Sequence, residues 1–273
     1  MRRNVLLNGT ILSEQAANIS VFDKGYYFDF AVYSSIKVVQ GRLFFPEYHV
    51  ERLFESATLI GIEHQFTNKQ ILAWIRQAVR ENELTDALLR LLLVGDPDDS
   101  LGAKFFCIPI GGLTFYPDAL YRDGASAVTY QGERRFPQAK TKDLLVSFLA
   151  YRKATQHGAL DALLIDRDGM IREGTRTNFF VFREDTLITP PADSVLEGIT
   201  RKIVLELAGE LHEIREEHIP LSAIRQYDEC FITSTSTNVM PIRLIDDIVF
   251  GGGFSKTREL QRRYREYCKT YIV

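Results

Sequence analysis

The chain has 273 residues, of which 45% are hydrophobic and 25% charged, with a formal net charge of −3 at pH 7. This is an ordinary globular balance, with enough apolar side chains for one large domain or two smaller ones. Lysine and arginine form no run or stripe, which argues against a nucleic-acid partner and favours a small-molecule or protein partner.

The cysteines and the N-terminus bear on the compartment. Cys107, Cys230 and Cys268 are widely separated and form no CxxC or Cys/His cluster, so we expect no metal site and a reducing, cytoplasmic location. The N-terminus has too few apolar residues for a signal peptide, and no run approaches the roughly 18 apolar residues that a membrane span needs. We expect a soluble, unprocessed protein without a membrane partner.

The first part of the chain is predicted to combine strands with two helices. Residues 4–45 read as short strands with turns at 8–9 and 40–41. Pro46 suits the start of a helix whose apolar residues recur at helical spacing, and a second helix follows in "NKQILAWIRQAVREN". Buried strands are expected in "ALLRLLLVG" and "AKFFCIPIGG". We therefore predict an N-terminal α+β domain over 1–112.

The second part is predicted to be a separate domain over 124–273, after an interdomain loop at 113–123 that holds Pro, Asp and Gly without periodicity. A helix in "DLLVSFLAYRKATQHG" should end at Gly158, and others should begin near Gly198 and span "TRELQRRYREYC". Strands are predicted in "ASAVTYQG", "DALLID", "TNFFVF" and "ECFIT", and near "HEIREEHI". The whole chain is thus of mixed α/β (α+β) class.

Three features could bind an anion. The helix in "LEGITRKIVLELAGEL" begins with glycine and small residues, which leaves backbone N–H groups exposed at the positive end of the helix dipole. The strand "ECFIT" runs into the hydroxyls of Thr233–Thr237, which suit an oxyanion or form an ordinary Ser/Thr turn. Arg52 is either an anion clamp or a side chain that extends to water.

Four charged residues are candidates for chemistry. Lys140 and Lys142 precede a helix, and a lysine in a partly dry pocket can act as nucleophile or base. Glu173 and Arg176 stand just ahead of the strand "TNFFVF" and, taken alone, are best explained as solvated turn charges. Their order along the chain, with the helix and hydroxyls that follow, favours a common site.

That order resembles the class IV pyridoxal-phosphate aminotransferases, the fold type IV group that holds D-amino acid aminotransferases, branched-chain aminotransferases and aminodeoxychorismate lyases. The resemblance covers nearly the whole chain. It rests on the stretches "LLNGTILSEQAANISVFDKGYYF", "VYSSIKVVQGRLFFPEYHVERLFESA", "HGALDALLIDRDGMIREGTRTNFF", "LEGITRK" and "STSTNVMPI".

The resemblance implies pyridoxal 5′-phosphate as cofactor and a role for each matched residue. Lys140 matches the lysine that binds the cofactor covalently, because the helix after it ends in "HG" at the family distance, whereas Lys142 does not fit. Glu173 matches the acid that pairs with the pyridine nitrogen. The family's phosphate ligands are matched by Arg52, Ile199, Thr200 and Thr235.

The resemblance also implies a fold and a reaction. Two α/β domains would hold the cofactor between them, and in a homodimer the partner's N-terminal domain would complete the pocket. An amino acid and a 2-oxo acid would be the substrates of two half reactions, with Lys140 moving the proton as general acid and base.

The subfamily depends on the residues of the substrate pocket. "VYSSIK" fits the D-amino acid pattern, which places Tyr33 and Lys37 at the pocket, and Leu145 replaces a tyrosine of branched-chain enzymes. The Arg-x-His pair that binds the substrate carboxylate in D-amino acid enzymes is absent from "VGDPDDSLGA". We expect a D-amino acid transaminase, with branched-chain L-amino acids or aminodeoxychorismate lysis as alternatives.

A carboxylate anchor must then come from elsewhere. Arg176 stands where relatives carry small residues, and a guanidinium can hold a carboxylate through two hydrogen bonds. We hypothesise that Arg176 binds the α-carboxylate, with help from Lys37 or from hydroxyls such as that of Ser236. The alternative is a structural salt bridge.

Overall fold

The computed structural model describes residues 3–99 and 101–271. They form two compact units: one extends to Thr114 and includes Ala139–Asp143, and the other comprises Phe115–Gln138 and Leu144–Tyr271. The domain boundaries given above stay a prediction. Within the described ranges, no helix is long and apolar enough to cross a membrane.

The first unit is built on one antiparallel sheet. Its elements are β1 (Val5–Leu7), β2 (Thr10–Leu12), α1 (Lys24–Tyr27), β3 (Ala31–Val39), β4 (Arg42–Leu43), α2 (Pro46–Leu59), α3 (Asn68–Glu81), β5 (Ala87–Val94) and β6 (Lys104–Gly111). The strand order is β2-β1-β6-β5-β3-β4, and every neighbouring pair on this path is antiparallel.

Helices α2 and α3 form where the sequence predicts them. Pro46 occupies the first turn of α2, and the side chain of Thr67 caps α3 by accepting the backbone N–H of Gln70. Their apolar residues pack on the sheet in one core. That core includes Val32, Ile36, Val50, Leu53, Ile71, Ile75, Leu89 and Leu91.

Strand β3 separates this core from a polar face. Because side chains alternate along a strand, Val32, Ser34 and Ile36 share the side that packs on the helices, and Tyr33 and Lys37 share the other. The neighbouring strand β5 places Arg90 opposite Ser35, and so on this second face. The predicted pocket residues Tyr33 and Lys37 are therefore on one surface of the sheet.

The second unit contains a larger, mixed sheet. Its elements are α4 (Asp118–Asp123), β7 (Ala125–Gln131), α5 (Leu145–Gln156), β8 (Asp161–Ile165), β9 (Met170–Gly174), β10 (Asn178–Arg183), β11 (Thr186–Thr189), α6 (Ile199–Gly209), β12 (Glu213–Glu216), β13 (Ile219–Pro220), β14 (Glu229–Ser234), β15 (Asn238–Ile245), β16 (Ile248–Val249) and α7 (Ser255–Tyr271), with 3-10 turns at Ala192–Ser194 and Leu221–Gln226. The strand order is β12-β11-β10-β14-β15-β7-β8-β9-β13, and β16 pairs with β15.

A further pairing makes this sheet return on itself. Glu173 of β9 lies opposite Asn178 of β10, so the path from β10 through β14, β15, β7 and β8 to β9 leads back to β10. Apolar side chains of these strands form a second core, which includes Ala127, Leu163, Ile171, Phe179, Val181, Ile232, Met240 and Ile242. Glu173 thus lies in a strand at this closure.

The mixed α/β class is confirmed. Several elements were not predicted, among them strands β15 and β16 and the short elements α1, α4 and β9. Helix α1 lies in a region predicted as strands, and α4 lies in the segment predicted as a loop. Strand β9 falls where the sequence predicts only a turn and the approach to a strand. Arg172, Glu173 and Gly174 break its apolar pattern, and its conformation depends on pairing with β8, β13 and β10.

Candidate active site

Lys140 is fixed in the first unit at the edge of β3. The backbone carbonyl of Lys140 accepts the N–H of Tyr33 at 2.9 Å, and the N–H of Lys142 donates to Ala31 O at 3.0 Å. The N–H of Lys140 also donates to Ser56 Oγ of α2 at 3.1 Å. The half-buried side chain places Nζ 4.9 Å from the centre of the Tyr33 ring. The structure thus brings Lys140 and Tyr33 together.

Lys142, two residues on, has different surroundings. Its Nζ donates to Asp29 Oδ1 at 2.9 Å and lies 4.6 Å from the centre of the Tyr26 ring. This amino group is held in an ion pair at the surface, which supports Lys140 as the reactive lysine.

Arg52 belongs to a hydrogen-bonded group in the same unit. Its Nη2 donates to Ser34 Oγ at 2.9 Å, and that oxygen lies 2.9 Å from Nδ1 of the buried His49. Burial holds the pKa of His49 well below 6.5, and the positive charges of Arg52, Lys140 and Lys37 act in the same direction. The positive charges that act on His49 make this part of the unit suited to an anion such as a phosphate.

Arg90 is a residue that the sequence reasoning missed. Its guanidinium lies 4.6 Å from the centre of the Tyr33 ring, and its Nε is buried without a hydrogen-bond partner among the residues that the structure describes. A buried donor without a partner is unfavourable unless a ligand or water satisfies it. The signal was an arginine inside the apolar strand "ALLRLLLVG".

Glu173, in the second unit, is buried rather than solvated. Only 6% of the residue is exposed, Oε1 lies 3.3 Å from Nη1 of Arg134, and Oε2 accepts the backbone N–H of Leu196 at 3.3 Å. The interpretation of Glu173 as a solvated turn charge is wrong, because pairing of β9 with its neighbours brings the residue inside. A cavity of about 280 Å³ reaches both Glu173 and Arg134.

Helix α6 begins at the predicted anion-binding position. Its N-cap is Gly198, which has no side chain to accept from the backbone N–H groups of the first turn, where the buried residues Ile199 and Thr200 lie. A Cβ atom at Gly198 would lie 2.2 Å from Asn178 Oδ1, so packing requires glycine. The Thr200 hydroxyl lies 3.4 Å from that of Tyr264. The helix dipole favours an anion at this end.

The predicted hydroxyl cluster is a Ser/Thr turn between β14 and β15. Ser234 Oγ accepts the N–H groups of Ser236 and Thr237 at 3.2 and 3.0 Å and lies 2.8 Å from Thr237 Oγ1. These bonds fix a turn in which Thr235 and Ser236 are half-buried. The local bonding is that of an ordinary turn, and the predicted ligand role of Thr235 stays a prediction.

Arg176 lies at the tip of the turn between β9 and β10 and is exposed. Its guanidinium lies 4.2 Å from the centre of the Tyr151 ring of α5. In the described part of the chain it forms no salt bridge, so the alternative of a structural salt bridge is not supported. Stacking on an aromatic ring leaves the N–H groups at the edge of the guanidinium available to a ligand.

The sequence comparison decides the family. The model of the family described as amino-transferase class IV matches residues 31–245, most of the chain. The chain belongs to the class IV aminotransferases. It is therefore an aminotransferase, and pyridoxal 5′-phosphate is its cofactor.

Individual relatives of this class IV aminotransferase carry two kinds of name. A Methanocaldococcus jannaschii protein, provisionally named a branched-chain-amino-acid aminotransferase, is 33% identical over 97% of this chain and 95% of its own. D-alanine aminotransferase of Bacillus licheniformis is 31% identical over 91% and 90%. Among solved structures, the T.th. branched-chain amino acid aminotransferase with pyridoxamine 5′-phosphate has a TM-score of 0.87 at 25% identity, covering 98% of this chain and 94% of that one. The fold type IV expectation is confirmed.

The described residues of the aminotransferase fit the chemistry of its cofactor. The first unit offers an amino group on Lys140 and a guanidinium on Arg52 amid an excess of positive charge. The second offers the N-terminus of α6, whose N-cap makes no side-chain hydrogen bond, and the buried carboxylate of Glu173. An aldehyde, a phosphate dianion and a pyridine nitrogen need groups of these types.

Proposed function

We propose that this aminotransferase moves an amino group between an amino acid, preferably a D-amino acid, and a 2-oxo acid. The observation that carries the reaction is the position of Lys140. Backbone hydrogen bonds hold it beside Tyr33, and its positive charge acts on His49 together with those of Arg52 and Lys37. Tyr33 and Lys37 on one face of β3 support the D-amino acid preference, as does Leu145, whose side chain is exposed.

Each proposed role follows from the residue's chemistry. When bound, pyridoxal phosphate withdraws electrons from the substrate Cα. Lys140 Nζ would move a proton from the substrate Cα to C4′ of the bound cofactor in the first half reaction, and from C4′ to Cα in the second. Glu173 holds the proton on the pyridine nitrogen. Arg52 binds the phosphate by charge. We assign Ile199, Thr200 and Thr235 as further ligands of the same phosphate.

Branched-chain L-amino acids are the second candidate. They are favoured by the name of the 33% identical relative and by the similarity to the T.th. structure. The D-amino acid proposal is favoured by the 31% identical D-alanine aminotransferase and by the residues of β3. The two proposals differ in the handedness of the donor, which can be measured directly.

The deciding experiment is a panel of amino donors. The purified enzyme is given D-alanine, D-glutamate, L-leucine, L-valine and L-isoleucine in turn, each with pyruvate or 2-oxoglutarate, and formation of the new 2-oxo acid is followed. We expect the highest kcat/KM with a D-amino acid. Faster turnover of the L-donors would select the branched-chain candidate, and pyruvate release from aminodeoxychorismate without transamination would select the lyase.

We further propose that Arg176 binds the substrate α-carboxylate, with Lys37 and Ser236 as supporting groups. Arg176→Ala should lower kcat/KM for the amino acid by about ten- to hundredfold, because hydrogen bonds to a charged group contribute about 1.5–3 kcal/mol. Activity on the corresponding primary amine, which has hydrogen in place of the carboxylate, should change little. The measurement is the ratio of the two kcat/KM values.

Arg90→Met is the parallel variant, since Arg90 is the other arginine stacked on a tyrosine near a predicted site residue. If the ratio of kcat/KM for the amino acid to that for the amine fell in Arg90→Met but not in Arg176→Ala, Arg90 would be the carboxylate anchor instead of Arg176. Equal losses on amino acid and amine in Arg176→Ala would also contradict the proposal.

We also propose a homodimer in the cytoplasm. The segment between β2 and β3 exposes large apolar side chains, which a partner surface would cover. They are Val21, Phe22, Tyr27 and Phe28, with 68%, 90%, 74% and 64% of each residue exposed. No disulfide joins the cysteines that the structure describes, as suits a reducing compartment.

A further inference from the structure

A buried acid, Asp161, holds the turn that carries Arg176. It begins β8 and is 3% exposed. Its Oδ1 accepts the backbone N–H of Thr175 at 3.1 Å and the hydroxyl of the same residue, and its Oδ2 accepts the hydroxyl of Thr177 at 2.8 Å. We propose that Asp161 is a positioning residue that sets Arg176 for the substrate carboxylate, an inference that rests on the function proposed for Arg176.

The coupling between Asp161 and the turn is strong for an electrostatic reason. Within the described part of the chain, no lysine, arginine or histidine forms a salt bridge with this carboxylate. A buried charge without a counter-ion is tolerated only when hydrogen bonds satisfy it. Here they come from Thr175, Thr177 and the backbone N–H of Ala162, at 2.8 Å in the last case. A turn that moved away would leave Oδ2 without its hydrogen bond and Oδ1 with the bond from Ala162 alone.

Packing at the start of the turn adds a second constraint. The N–H of Gly174 donates to Thr177 O at 2.8 Å and closes the turn. A Cβ atom at Gly174 would lie 2.1 Å from Thr177 Oγ1 and 2.5 Å from Asp161 Oδ2. The acid and the two threonines therefore fill the space beneath the turn, and its backbone has little freedom.

The two residues next to Arg176 in the sequence are both held in place. Thr175 and Thr177 are buried and bonded to Asp161, whereas Arg176 between them is exposed. The Tyr151 ring supports its guanidinium at 4.2 Å. An arginine whose backbone and side chain are both held before binding loses less conformational entropy when it meets a carboxylate.

The other end of β8 offers a matched control. Asp166 is 1% exposed and holds the next turn by accepting the N–H groups of Asp168 and Met170, both at 2.9 Å. It also pairs with Arg172. Asp166 is thus a second buried acid that fixes a turn of the same unit, but that turn carries no predicted site residue.

The test compares Asp161→Ala and Asp166→Ala by the ratio of kcat/KM for the best amino acid of the panel to that for its decarboxylated amine. We expect the ratio to fall about tenfold or more in Asp161→Ala and to stay within about twofold in Asp166→Ala. Asp161→Asn keeps Oδ1, and with it the bonds to Thr175, so it should restore most of the ratio. Adding Asp161→Ala to Arg176→Ala should lower the ratio no further, because both act on one interaction.

An unchanged ratio in folded Asp161→Ala, while Arg176→Ala lowers it, would overturn the positioning role alone. An equal fall in Asp166→Ala would overturn it too, by showing a general effect of lost stability. If Asp161→Ala does not fold, the ratio is measured in Thr175→Val, which lacks the hydroxyl bond to Asp161. A lowered ratio would support the positioning role, and an unchanged ratio would overturn it. An unchanged ratio in Arg176→Ala would instead show that the anchor proposal itself is wrong.

Discussion

Lys140→Ala is expected to lose steady-state transamination by about 10⁴-fold or more, because one change removes both the covalent attachment of the cofactor and the group that moves the proton. The backbone bonds that hold the segment at β3 do not involve the side chain, so the fold should persist. The measurement is the rate with the best donor of the panel, together with the melting temperature.

Lys142→Ala is the matched control. It removes an amino group two residues away that is committed to Asp29, with 33% and 54% of the two side chains exposed. Exposed ion pairs of this kind contribute roughly 0–1 kcal/mol, so turnover and stability should change little. Borohydride reduction of the wild-type enzyme should leave the cofactor on the peptide containing "AKTK", attached at Lys140. Attachment at Lys142, or activity lost only in Lys142→Ala, would contradict the assignment.

Elements with strong periodicity or clear end signals could be predicted from the sequence. Helix α3 has an apolar stripe and a threonine cap, and α5 ends next to Gly158, whose φ of +66° favours glycine. Strand β9 lacks such a signal. Its conformation comes from partners on both sides, which a local pattern does not contain.

The same division holds for the candidate site. Lys140, Arg52 and Glu173 could be proposed as site residues because family motifs surround them. Their partners could not, since they are brought together by the fold: Arg134 reaches Glu173 across 39 residues, and Ser34 meets Arg52 across 18. Asp161 left one local trace, an acid at the head of the apolar run "DALLID". A charge in a fully buried strand needs partners, and here they are hydroxyls of a later turn.

Glu173→Gln is expected to slow transamination by about 10²- to 10³-fold while the cofactor stays bound. Glutamine has nearly the shape of glutamate but no charge, so the proton on the pyridine nitrogen loses its counter-ion, and an electrostatic group at a reacting centre contributes about this much. The proposed phosphate contacts involve other residues, so cofactor content should be retained. The measurements are the single-turnover rate and the bound cofactor per chain.

Glu173→Gln also breaks a buried ion pair, so a control for lost stability is needed. Glu173 pairs with Arg134, whose side chain is only 11% exposed, so the amide would also leave a buried guanidinium without its carboxylate and lower stability. Glu133→Gln is the control. It changes an acid of the same cavity that pairs with Arg167, a side chain that is 82% exposed, and it should alter neither rate nor stability.

Arg134→Met separates the loss of charge at the cofactor ring from the loss of the ion pair at Glu173. If stability alone set the rate, Arg134→Met and Glu173→Gln would slow turnover equally at equal melting temperature. If Glu173 acts on the cofactor ring, Arg134→Met should keep most of the activity because the carboxylate of Glu173 is still present. A near-native rate in cofactor-loaded Glu173→Gln would leave the acid with a structural role, as the partner of Arg134 and of the Leu196 N–H.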